Sequence, residues 1–186
     1  MTKDRKSKVL NDIKENLNNY YTIIDEDAIA SVKTFKIKLK YDFTVNVIVN
    51  IDTFNGADNF TIAIMCNGNK HIINADANYI SYLNDINTCL NKLMEQIHTY
   101  EEFIKGFVDS IVTDLYNVEY HINLNTLHTY FKSHNGRAVI YPVIEFGHGG
   151  EYVTMYIDSI EGGRYPMKMY SSISYDDAKD MLGFYL

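Results

Sequence analysis

A chain of 186 residues with 46% apolar content is long enough to bury its own core without a disulfide or a metal. Its formal charge of −7 disfavours direct binding of nucleic acid phosphates over most of the surface. No apolar run approaches the ~18 residues of a membrane span, and the polar N-terminus carries no apolar signal region, so a soluble, cytoplasmic protein is expected.

Residues 3–20 read as a helix, because Val9, Leu10, Ile13 and Leu17 recur at helical spacing. Asp25-Glu26-Asp27 reads as a polar break. Phe35, Ile37, Leu39, Tyr41 and Phe43 then alternate with polar residues and predict a strand, continued by Val45, Val47, Val49 and Ile51 in a second. Asn55-Gly56-Ala57-Asp58 is a turn signal, and Phe60 to Cys66 a third strand. Asn67-Gly68-Asn69 predicts a hairpin turn into a short strand at His71–Ile73.

From Leu83 to Ile111, apolar residues step by three and four in a heptad-like stripe. One helix of that length would exceed the width of a domain this size. A break near Thr99, where Thr99 and Glu102 resemble a capping box, is therefore expected; the alternative is a continuous helix paired with a second chain. Val118 to Leu124 alternates as a strand. A short helix is expected around Leu127 and Phe131, ended by Asn135-Gly136. Strands follow at Val139–Phe146, with Pro142 suggesting an edge position, and at Tyr152–Ile160, joined through His148-Gly149-Gly150. Glu161-Gly162-Gly163 turns into a strand at Tyr165–Tyr170. A last helix opens at Ser174, with Asp176 and Asp177 in its first turn.

The fold class is thus α+β, with antiparallel sheets and flanking helices. The domain reading is two lobes, 1–99 and 100–186, or one shared core. A shift of 93 residues sets Ile51 on Ile144, Gly56 on Gly149, Ile64 on Ile157, and Ile80-Ser81-Tyr82 on Ile173-Ser174-Tyr175. This suggests an internal repeat of helix, three strands and helix. That order is similar to double-stranded RNA-binding domains, but their phosphate-binding lysines would fall where this chain has Asp76 and Asp85, and Asp176, Asp177 and Asp180.

Cys66 and Cys89 are too few for a disulfide framework and read as buried, inert thiols. His121, His128 and His134 are spaced by seven and six, which does not put two imidazoles on one helix face. His148 beside Glu151 reads as a turn. Gly147–Gly150 and Gly162-Gly163 join strand to strand and lack the helix N-terminus a phosphate loop needs. A metal-dependent nuclease would have to draw on Asp52, Asp58, Glu145 or Asp158 with Lys168. No metal or cofactor is expected.

Three features suggest binding surfaces. Lys36, Lys38 and Lys40, with Lys33 nearby, form a basic stripe that reads as the guard of an exposed edge strand or as a grip on an acidic partner or a nucleic-acid backbone. Residues 1–40 hold nine Lys/Arg against six Asp/Glu, and the rest of the chain eight against eighteen. Glu101, Glu102, Asp109, Asp176, Asp177 and Asp180 supply acidic helix positions for a basic partner. Tyr20 and Tyr21, Tyr152 and Tyr156, and Tyr165 and Tyr170, among 16 tyrosines in a chain without Trp, read as ring surface suited to an interface.

Together these favour a non-enzymatic binding or inhibitor protein acting on a basic nucleic-acid-handling protein. Small, acidic, motif-poor proteins of this character occur in phages and mobile elements as anti-CRISPR or anti-restriction inhibitors. The alternatives are the nuclease and a chaperone-like or scaffold homodimer built on the heptad stripe.

Overall fold

The computed structural model describes residues 3–54, 57–76, 81–114, 117–146, 151–159 and 168–186. Its elements run helix, five strands, long helix, five strands, helix, with both sheets antiparallel, which is the expected α+β class. By contacts the chain divides into two units, Met1–Met94 and Glu95–Leu186.

In the first unit, helix α1 (Lys3–Tyr20) forms because Val9, Ile13 and Leu17 recur every fourth residue and so share one side. All three are buried. Strands β1 (Thr22–Ile29), β2 (Val32–Lys38), β3 (Thr44–Phe54), β4 (Ala57–Cys66) and β5 (Asn69–Asp76) pair in chain order as a meander. The alternating apolar residues meet across the ladder: Phe35 faces Val47, Val47 faces Ile64, and Ile51 faces Phe60. They form one buried layer. Each such side chain withdrawn from water contributes about 1.5–3 kcal/mol.

The buried sides of α1 and of the first part of helix α2 (Tyr82–Asp114), through Ile86, Leu90 and Leu93, complete this core. Asn16 and Asn87 join the two helices by exchanging hydrogen bonds of 2.9 and 3.1 Å. Tyr82 meets the Phe60 ring edge-on at 5.1 Å. Cys66 and Cys89 are buried thiols outside any disulfide, as expected, and burial pushes the Cys89 thiol up.

Three expectations in this unit change. Asp25-Glu26-Asp27 is no break but the middle of edge strand β1, where Glu26 bonds Lys14 at 2.6 Å and Lys33 at 3.0 Å. Those lysines hold the Glu26 carboxyl below its ordinary range. The next strand ends at Lys38 and not at Phe43: the Leu39 amide donates to the Phe43 carbonyl, and Tyr41 takes a φ of 59° inside the turn. Asn55-Gly56 lies outside the described residues, while Ala57 and Asp58 already belong to β4. The Asn67-Gly68 turn is as expected, with φ of 49° and 85°, the left-handed pair that a two-residue hairpin requires.

Helix α2 is unbroken over 33 residues. Thr99 does not cap a new helix; its hydroxyl donates back to the Glu95 carbonyl at 2.9 Å, as a mid-helix threonine does. The helix outgrows a single domain because its residues to Met94 belong to one unit and those from Glu95 to the other. The heptad stripe is consumed within the chain: Leu90, Leu93, Ile97, Tyr100, Ile104 and Phe107 are all buried, leaving none of these six free to pair with a second copy.

The second unit contains β6 (Glu119–Ile122), β7 (Thr129–Lys132), β8 (Gly136–Pro142), β9 (Tyr152–Ser159), β10 (Lys168–Ser174) and helix α3 (Tyr175–Tyr185). The strands again form a meander, ordered β10-β9-β8-β7-β6. Thr129, Phe131, Ala138, Ile140, Val153, Met155 and Ile157 make the buried face, with Ile97, Tyr100, Ile104 and Phe107 of α2 and Ala178 and Leu182 of α3. Phe107 meets Phe131 edge-on at 5.3 Å, and the buried Tyr100 hydroxyl donates to the Leu127 carbonyl at 3.1 Å.

Where a short helix was expected around Leu127 and Phe131, the chain makes a turn and then β7. Asn123 diverts it: its side-chain oxygen accepts from the Asn125 and Thr126 amides, its carbonyl accepts from Leu127, and Leu127 adopts a φ of 58°. Pro142 is not on an edge strand, since β8 lies between β7 and β9. It is tolerated as the last residue of its strand. The turns expected at His148-Gly149-Gly150 and Glu161-Gly162-Gly163, and the strand start at Tyr165, lie outside the described residues.

Helix α3 opens as expected. Ser174 accepts from the Asp177 amide at 3.1 Å and donates to the Asp177 carboxylate at 2.7 Å. Ser174→Ala will therefore cost about 1 kcal/mol, read as a lowered denaturant midpoint with an unchanged slope. Among the described residues five strands stand in each unit, against the four expected along each half and the three of the suggested repeat. Of the positions related by 93 residues, Ile51 and Ile144, and Ile64 and Ile157, are all buried, and Tyr82 and Tyr175 each begin a helix. Gly56, Ile80 and Gly149 fall outside the described residues. No helix among the described residues is long and apolar enough to cross a membrane.

Candidate functional site

Strand β2 buries Phe35 and Ile37 and so turns Lys36 and Lys38 outward, where both are exposed; Lys40 is exposed in the turn beyond. The edge-guard reading fails, because β2 is the second strand and is paired on both sides. The stripe is also less basic than its sequence. Asp25 lies across from Lys36, Lys38 bonds Asp42 at 2.9 Å, and the Lys40 ammonium sits 5.2 Å from the Tyr41 ring centre. Lys33 belongs to the other side of the strand and pairs with Glu26.

Counted by unit, the charge is divided more sharply than along the chain. The first unit carries eleven Lys/Arg and eleven Asp/Glu, the second six and thirteen, so the second holds the whole net charge of −7. Its helices concentrate that charge. Glu101, Glu102 and Asp109 lie on α2, with Asp176, Asp177 and Asp180 on α3. Asp176 and Asp177 meet the positive end of the α3 dipole. His98 lies 3.6 Å from Glu101 and 3.5 Å from Glu102. Ile97, Tyr100, Ile104 and Phe107 of α2 and Ala178 and Leu182 of α3 are buried, while Glu102, Asp109, Asp176, Asp177 and Asp180 are exposed, with Lys105, Lys179 and Phe184 beside them.

The opposite face of the second sheet is different in kind. Tyr152, Thr154, Tyr156 and Asp158 share one side of β9, away from the buried Val153, Met155 and Ile157. Cross-strand register builds a continuous row over all five strands: His121 on β6 opposes Tyr130 on β7, Tyr130 opposes Val139 on β8, Val139 opposes Tyr156 on β9, and Tyr156 opposes Met169 on β10. Tyr141 extends the patch, its ring 5.4 Å from Tyr156 and 4.4 Å from His128. Burial lowers the His128 pKa, which keeps that ring neutral at pH 7. A neighbouring band holds Glu119, Lys132, Arg137 and Asp158. Lys132 bonds Glu119 at 3.3 Å, and Arg137 stands across from Asp158. An open groove of about 370 Å³ runs over His121, Tyr130, Lys132, Arg137 and Val139.

Sequence reasoning picked out Tyr152 and Tyr156 but missed His121, His128, Tyr130, Tyr141 and Met169. The signal in the sequence is the alternation His128-Thr129-Tyr130-Phe131-Lys132, which the helical spacing of Leu127 and Phe131 hides.

Within the second unit the groups suggested for a nuclease are not gathered. Asp158 and Lys168 lie on opposite sides of the second sheet, since Lys168 opposes Ile157 and not Asp158. The Glu145 backbone is held by Gln96, whose side chain donates to its carbonyl at 2.9 Å and accepts from its amide at 3.0 Å. Asp52 and Asp58 belong to the other unit. Among the described residues no group of three or more His, Cys, Asp or Glu is placed to hold a metal ion. Burial raises the phenols of Tyr100, in the core, and of Tyr175, half-buried and stacked on Phe103 at 4.1 Å, well above the ordinary range. Compared with known proteins, the chain matches no family model, no curated protein and no solved structure.

Proposed function

We propose that this protein acts by binding, and that its partner is a basic nucleic-acid-handling protein engaged by the second unit. The observation that carries the reading is the charge division: one unit is neutral overall and the other holds the entire −7. A field of one sign on one unit steers an oppositely charged protein and repels nucleic acid. Such a protein fits the role of an inhibitor of a defence nuclease, of the anti-CRISPR or anti-restriction kind carried by phages and mobile elements. The matching order of elements in the two units supports the reading of two similar lobes, one of which has become the acidic partner-binding copy.

The expected result of affinity capture from the native cell lysate is a basic nucleic-acid enzyme retained at low salt and released at high salt, whose activity the purified protein then inhibits. Recovery of chaperones and background alone would count against the reading. The rival, a metal-dependent nuclease, requires cleavage of RNA or DNA by the purified protein that stops with EDTA.

A further inference from the structure

We propose that strand β1 is sealed against the addition of a further strand by its own aspartates. The side chains of Asp25 and Asp27 occupy the backbone amides that this edge would otherwise offer to a second chain.

β1 is the outer strand of the first sheet, eight residues long, and carries Ile24 and Ile29 at 47% and 69% exposure. An edge of that length with exposed isoleucines is a template for pairing with another chain. The ladder fixes which of its amides face outward. The Ser31 carbonyl accepts from the Ile51 amide and the Leu39 amide donates to the Phe43 carbonyl, so the odd-numbered residues of β2 bond β3. The even-numbered ones, Val32, Thr34 and Lys36, then bond their partners on β1, which are Ile29, Asp27 and Asp25. Glu26 and Ala28, lying between these, turn their amides away from the sheet.

Both outward amides are taken. Glu26 donates to the Asp25 carboxylate at 2.9 Å, and Ala28 to the Asp27 carboxylate at 2.8 Å. Nearer the start of the strand the register shifts between Ile23 and Asp25, and the irregularity interrupts the even spacing an added strand needs. Glu26 holds the arrangement in place, because its own carboxylate is bonded on the helix side to Lys14 and Lys33. The edge guard that the sequence suggested at Lys36, Lys38 and Lys40 thus stands one strand further out and is made of carboxylates.

The test compares the full chain with Asp25→Ala/Asp27→Ala and with Asp25→Asn/Asp27→Asn. Asparagine loses the charge but keeps a side-chain carbonyl to accept the amide, whereas alanine keeps neither. In sedimentation equilibrium over a range of concentrations, the asparagine pair is expected to match the parent's mass. The alanine pair is expected to rise with concentration towards a doubling of that mass, as two β1 edges pair about a twofold axis. Adding Ala28→Pro to the alanine pair removes an outward amide without breaking the ladder, and is expected to restore the parent's mass. Hydrogen exchange on the parent needs no substitution: the Glu26 and Ala28 amides are expected to exchange several-fold more slowly than unbonded amides, although no described strand lies beyond them.

Association of the asparagine pair as readily as the alanine pair would show that charge alone guards the edge, and would overturn the inference. An alanine pair that keeps the parent's mass, or whose association survives Ala28→Pro, would overturn it as well. Unprotected amides at Glu26 and Ala28 in the parent would do so whether or not the alanine pair folds.

Discussion

Thr99→Pro will destabilise the protein by about 3 kcal/mol or more, enough to shift or abolish the cooperative denaturant transition. Proline at this position removes the Thr99 amide that bonds the Glu95 carbonyl within α2, and its ring clashes with that same carbonyl. The side chain is only half-buried, so the loss reports on the backbone and not on packing. Were α2 two helices joined at Thr99, the proline would sit at a helix start, where its fixed φ and missing N–H are tolerated. A loss below about 1 kcal/mol would therefore mean that the helix is not continuous here. Thr99→Ala, which gives up only the side-chain bond to Glu95 and gains helix propensity, is expected to be near neutral.

Gln96→Leu will cost about 2–4 kcal/mol, although it places an apolar residue at a buried position. The Gln96 amide satisfies both the N–H and the C=O of Glu145, in the segment that leaves β8, and leucine can satisfy neither. Each buried backbone group left unpaired costs about 1–3 kcal/mol. Hydrogen exchange locates the damage: the Glu145 amide should lose protection far more than the amides of β8 itself. Unchanged protection at Glu145 would show that the clamp does not hold this segment.

How far the sequence reveals this fold depends on where each element finds its partners. Strands β2 to β4 are legible because Phe35, Ile37, Val45 to Ile51 and Phe60 to Cys66 alternate with polar residues and each lines one buried face. The Ser174 cap is legible because its bonds reach only three residues along the chain. Strand β1 is not, since an edge strand exposes most of its side chains, and Asp25-Glu26-Asp27 then carries no periodic signal. Strand β7 was hidden by a coincidence of spacing: Leu127 and Phe131, four apart, satisfy a helix, but they also satisfy a strand with Thr129 buried between them. At Thr99 a local capping pattern was outweighed by packing on both sides of it.

The candidate site was the least legible part. The row of His121, Tyr130, Val139, Tyr156 and Met169 gathers residues up to 48 positions apart, and only the ladder register puts them side by side. A one-residue slip in any strand would send its member of the row to the core.

The continuity of α2 also decides how this protein can be divided. By contacts the boundary falls at Met94 and Glu95, yet both residues lie inside one hydrogen-bonded helix. A cut there creates a new helix C-terminus and a new N-terminus, each with four backbone groups lacking helical partners and no capping residue placed to receive them. It also strips Glu95 to Ile97 from the end of one piece and Leu90 to Met94 from the start of the other. Either half prepared for separate study should therefore keep all of Tyr82–Asp114, so that the shared helix is duplicated between the two pieces and not severed.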